Sequence, residues 1–97
     1  RYIRDYYLAG LRFGSEKPTE VIIDILSEAL KGVNKTRIMY RANLNFLRFN
    51  KYFGELVELG LVELVDNPDE SGLVYRTTDE GRALLETLRK AERFISL

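Results

Sequence analysis

Between Ala29 and Gly54 the chain carries Lys31, Lys35, Arg37, Arg41, Arg48 and Lys51, and no Asp or Glu. Six positive charges with no counter-charge suit a polyanion, because each can neutralise a phosphate and release its condensed counterion. Near the end of this block, Arg48, Asn50 and Lys51 can do more than that. Arg can fork onto guanine and Asn can pair with adenine in a duplex groove, although each is equally able to touch phosphate. Lys35, Arg37 and Arg41 suit phosphate contacts that fix register without reading sequence. The whole chain has 15 bases and 15 acids, so everything outside the block holds nine bases against fifteen acids. Formal neutrality conceals a polarised molecule.

Other chemistries are harder to build from this composition. There is no Cys and no His. That removes thiol nucleophiles, disulfides, Cys/His zinc sites and imidazole acid–base work together. No phosphate-binding loop, dinucleotide fingerprint or nucleophile elbow is present, so no cofactor is expected. The acids read as scattered over solvated helix faces and one turn. An enzyme would need two or three of them converging near the basic block, as in a Mg²⁺-dependent nuclease. No stretch approaches the roughly 18 apolar residues of a membrane helix, which makes an intracellular, cytoplasmic protein the default expectation.

The elements that must position the bases can be read from periodicity. Residues 18 to 31, PTEVIIDILSEALK, place Val21, Ile22, Ile25, Leu26, Ala29 and Leu30 at helical spacing. Pro18 suits the first turn and Gly32 the position past the end. A short helix from about Thr36 to Ala42 follows, with Asn34 or Thr36 as its cap and Lys31 favourable at the end of the helix before it. The ANLN stretch breaks the pattern, and Asn45 is suited to cap a further helix from Phe46 to Leu59, closed by Gly60. Thr36 and Asn45 are first of all capping residues, though a helix N-terminus can also hold phosphate through its amides.

At 100° per residue, Phe49, Phe53, Leu56 and Gly60 fall on one side of that helix. Leu47, Arg48, Asn50 and Lys51 fall on the other. Tyr40, Phe46, Tyr52 and Tyr75 are expected to be core or half-buried. After Gly60, LVELVD and LVYRT are β-rich runs joined by NPDESG, which predicts a hairpin. From Thr78 onward the chain is helical again, with Thr77 or Thr78 as cap and Asp79 and Glu80 at the positive end of the dipole.

Helix, short helix, turn, helix, hairpin, helix predicts a mainly α chain with a small β-hairpin. That is a winged helix-turn-helix with a long C-terminal helix. Its second motif helix can enter a major groove about 12 Å wide, which makes double-stranded DNA the expected partner. The domain is expected over 18–97. Residues 1–17 form an N-terminal extension, read as a short helix from the facing Ile3, Tyr7 and Leu11.

KTRIMYRANLNFLRFNKYFGELVELGLVE, followed by YRTTDEGRALLETLRK, resembles the small archaeal winged-helix domains of the ArnR-like type. It is also similar to the related dimeric archaeal chromatin-associated winged-helix proteins. The likeness covers roughly residues 18 to 93, and TRIMYRANL with the Thr78-x-x-Gly81 pair are its most specific pieces. It implies DNA binding through the helix from Phe46, in a dimer paired through the C-terminal helix. One departure concerns the wing, whose tip holds Asp66, Asp69 and Glu70 and whose single base on the hairpin is Arg76. An acidic tip should avoid phosphates.

Leu84, Leu88, Ala91 and Ile95 are spaced 4, 3, 4, a heptad-like stripe open to two readings. It can pack on the domain's own core, or pair with a second copy over the 78–97 helix. Continuation to Phe94, Ile95 and Leu97 favours the second copy. The alternative to a DNA-binding regulator is a winged helix used only for protein–protein contact, through the acidic wing and the aromatic N-terminal segment.

Overall fold

The computed structural model describes residues 17–65 and 72–95. Pro18–Glu28 forms α1, with proline in its first turn and Val21, Ile25 and Leu26 buried. A 3-10 turn, Ala29–Lys31, leads to the two-residue strand β1, Val33–Asn34. Then come α2, Lys35–Ala42, and α3, Phe46–Glu58. Strands β2, Val62–Val65, and β3, Val74–Thr77, precede the long α4, Asp79–Ile95. The N-terminal segment 1–16, the acidic wing tip with Asp66, Asp69 and Glu70, and Leu97 lie outside the described residues.

The expected hairpin is present as β2 and β3, and β1 adds a third strand to it. Their order is β1-β3-β2, antiparallel throughout, with Val33 opposite Tyr75 and Leu64 also opposite Tyr75. The wing is therefore fastened to the residues that start α2. Two residues are too few to show an alternating pattern, so β1 leaves no periodic trace in the sequence.

The core is one cluster. Val21, Ile25 and Leu26 of α1 meet Ile38 of α2, Phe49, Phe53 and Leu56 of α3, Val62 of β2 and Leu85 of α4. Burying each large side chain contributes roughly 1.5–3 kcal/mol. Phe49 stacks on Phe53 at 5.2 Å, and Phe53 meets the edge of Tyr75 at 4.8 Å. The second contact presses α3 against the sheet.

Polar groups at the base of the wing hold the layers in register. The buried Thr77 hydroxyl donates to the Leu26 carbonyl at 2.7 Å. The Thr78 hydroxyl donates to the Gly60 carbonyl at 2.7 Å and accepts the Gly81 N–H at 3.0 Å, while the Thr78 N–H donates to the Leu61 carbonyl at 3.0 Å. Gly60, at φ 77°, takes the left-handed conformation that ends α3. Gly81 is buried where α4 crosses Leu61. The Thr-x-x-Gly motif is thus a cap combined with a close approach of two backbones. Farther along α4, the Arg89 guanidinium donates to the Ser27 hydroxyl at 2.7 Å, joining α4 to α1.

Candidate nucleic-acid interface

The same device starts both motif helices. Asn34 accepts the Arg37 N–H through its side chain at 2.8 Å, and Asn45 accepts the Arg48 N–H at 2.9 Å. Both caps are extended, with ψ of 161° and 165°. An unpaired helix N-terminal amide needs such an acceptor, and the asparagine cap contributes about 1 kcal/mol. Of the two residues offered as caps for α2, the structure uses Asn34, and Thr36 is exposed. Between the helices Asn43 adopts φ 57°, and its N–H donates to the Met39 and Tyr40 carbonyls. A short side chain that tolerates this backbone is what the tight turn requires.

On α3 the core face is as expected, but of the four residues expected opposite it only two stand fully outward. Phe49, Phe53 and Leu56 are buried, Leu47 and Lys51 are exposed, and Arg48 and Asn50 are half-buried. The outward stripe Leu47, Lys51, Gly54 and Glu58 runs the length of the helix. Its first two turns carry no acid, whereas Glu55 and Glu58 bring negative charge back in the last two. The positive part of α3 is its N-terminal half.

The remaining bases are more constrained than the sequence suggests. Glu28, the residue immediately before the acid-free block, is half-buried on α1 and reaches two of them. Its carboxylate lies 3.4 Å from the Arg37 guanidinium and 3.9 Å from that of Arg41. Lys31, Asn34 and Arg37 share a cleft of about 250 Å³ with the same Glu28. The Lys35 ammonium sits 5.4 Å over the Phe53 ring, a cation–π contact, instead of standing clear of the surface. Arg76 lies opposite Glu63 across the β2–β3 ladder, and the two ions are 3.4 Å apart. Both are about half exposed, so the pair adds little stability but does offset the charge of Arg76.

Two aromatic expectations are overturned. Tyr40 and Phe46 were expected in or beside the core, yet they are 79% and 62% exposed, and Leu47 is 79% exposed. Tyr40 stands about 200° round α2 from buried Ile38, and Phe46 and Leu47 open α3 ahead of its first buried residue, Phe49. Tyr52 and Tyr75 are half-buried as expected.

The heptad-like stripe of α4 divides. Gly81 and Leu85 are the residues that α4 buries, Leu84 and Leu88 flank them half-buried, and Ala91, Phe94 and Ile95 are exposed. The core reading therefore accounts for the first half of the stripe only. Among the described residues, no three acids come together in a way that could hold a metal ion, and no helix is long and apolar enough to cross a membrane.

Two helices joined by a three-residue turn, braced by a third and followed by a strand-built wing, define a winged helix-turn-helix protein. The chain belongs to that family, whose model matches residues 17–96. An uncharacterised protein of Methanocaldococcus jannaschii is 36% identical over 78 residues, which cover 75% of this chain and 34% of that relative. The chain thus spans about a third of that relative's length. Among solved structures, Sso10a-2, a DNA-binding protein from Sulfolobus solfataricus, is similar with a TM-score of 0.69 and 23% identity, over 84% of this chain and 83% of that one. A MarR family transcriptional regulator from Silicibacter pomeroyi is similar with a TM-score of 0.59 and 26% identity, over 87% of this chain and 56% of the other.

Proposed function

We propose that the chain binds double-stranded DNA with α3 in the major groove, as a transcription regulator or chromatin-associated protein. The observation that carries this reading is the acid-free N-terminal half of α3, capped by Asn45, with Leu47 and Lys51 exposed on its outward stripe. Winged helix-turn-helix proteins present that part of that helix to base edges. The fold shared with a DNA-binding protein and with a transcriptional regulator supports the same use here.

Within this reading, Arg48, Asn50 and Lys51 are the base-edge and groove contacts. Lys35, Thr36, Arg37 and Arg41 serve phosphates beside the groove, as do the α3 amides capped by Asn45. Arg37 and Arg41 can do so only by sharing or leaving Glu28. Arg76, offset by Glu63, makes the weakest contribution. Binding to duplex DNA measured against salt tests the reading directly. Each phosphate neutralised contributes about −0.9 to the slope of log K against log salt, so several contacts give a steep fall. A flat response would end it.

The partner for the outer end of α4 is a second copy. Ala91, Phe94 and Ile95 extend an apolar surface beyond the part of the helix that the core covers. A two-fold pairing through this helix would present two α3 helices to half-sites about 34 Å apart. Sedimentation velocity is expected to give a dimer, and Ile95→Glu a monomer of unchanged helicity. A monomeric parent chain would remove the proposal.

A further inference from the structure

The first side chains that α3 offers to a groove are Phe46 and Leu47, and neither can form a hydrogen bond. Helix-turn-helix readers place the opening residues of this helix against base edges. An apolar side chain there has one favourable counterpart in the major groove, the C5-methyl group of thymine. Leu47 stands on the outward stripe with Lys51 four residues on and Gly54 three further. At Gly54 an added Cβ would meet nothing within 4 Å. The stripe therefore runs from an apolar tip through a cation to bare helix backbone, and no acid interrupts its first two turns. That charge pattern fits an apolar contact made inside a polyanion and not one made on a neutral protein surface.

We infer that Leu47, with Phe46 beside it, covers thymine methyl groups in the major groove and gives the protein a preference for methyl-bearing A·T sites. This rests on the DNA-binding reading above, and deepens it by naming what the helix tip recognises. Hydrogen-bond readout is left to Asn50 and its neighbours one turn deeper.

The test uses two duplexes of one A·T-rich sequence, the first with thymine and the second with deoxyuridine at every thymine position. They differ only in the methyl groups. Fluorescence anisotropy with the unaltered chain is expected to show tighter binding to the thymine duplex, by about fourfold for each methyl covered. Leu47→Ser, at an exposed position that leaves the fold intact, should narrow that gap while leaving the slope against salt unchanged. Equal, salt-dependent binding to both duplexes by the parent chain would overturn the inference and spare the DNA reading. A gap that survives unchanged in Leu47→Ser would overturn it as well, because the preference would then come from duplex shape. Absence of salt-dependent binding to either duplex would remove the DNA reading and the inference with it.

Discussion

Gly81→Ala is expected to destabilise the protein by about 3 kcal/mol or more, the upper range for forcing extra atoms into a packed site. The added Cβ would lie 2.6 Å from the Thr77 methyl and closer still to the Leu61 carbonyl oxygen. The carbonyl cannot retreat cheaply, since it accepts the Thr78 N–H, and Thr77 is held by its own hydrogen bond to Leu26. For a domain of this size the loss corresponds to a fall in Tm on the order of 15 °C. Gly54 provides the matched control. It sits in the middle of α3 facing open space, so Gly54→Ala should stabilise by about 0.5–1 kcal/mol through reduced backbone entropy of the unfolded chain. Thermal unfolding of the two variants therefore gives opposite signs for one chemical change. A Gly81→Ala protein as stable as its parent would show that α4 does not approach Leu61 this closely.

Lys51→Glu carries the largest expected effect on function. Lys51 is exposed on the outward stripe of α3, so the variant should unfold within about 0.5 kcal/mol of the parent. If α3 occupies the groove, the substitution removes a charge-assisted contact and sets a carboxylate among phosphates. Affinity for duplex DNA at low salt should fall by at least about tenfold, with a shallower dependence on salt. Glu28→Gln should do the reverse. It releases Arg37 and Arg41 from their internal counter-charge, and a several-fold rise in affinity at fixed salt is expected. Lys51→Glu binding with unaltered affinity and slope would move the interface away from α3.

Much of this molecule could be read from local signals. The apolar stripe Phe49, Phe53, Leu56 turned out buried, and Asn45 caps α3, because helix periodicity and capping depend on residues within a few positions of one another. Tyr40 was legible too: in a helix of eight residues it lies on the far side from Ile38, and its aromatic character hid that arithmetic. The features missed are non-local or too short. Glu28 acts on residues nine and thirteen positions later, through a helix crossing that no window of sequence reveals. Strand β1 exists because β3 offers it a partner. Gly81 escaped the reading of α4 because an apolar stripe is traced through side chains, and this contact depends on the lack of one.

The Thr78 hydroxyl links the last carbonyl after α3 to the first turn of α4, with Leu61 clamped between them. The end of α3 and the start of α4 are thus tied at one point. Swinging the outer end of α4, as a second subunit would, strains these hydrogen bonds unless the foot of α3 follows, as a lever carries the arm bolted to its axle.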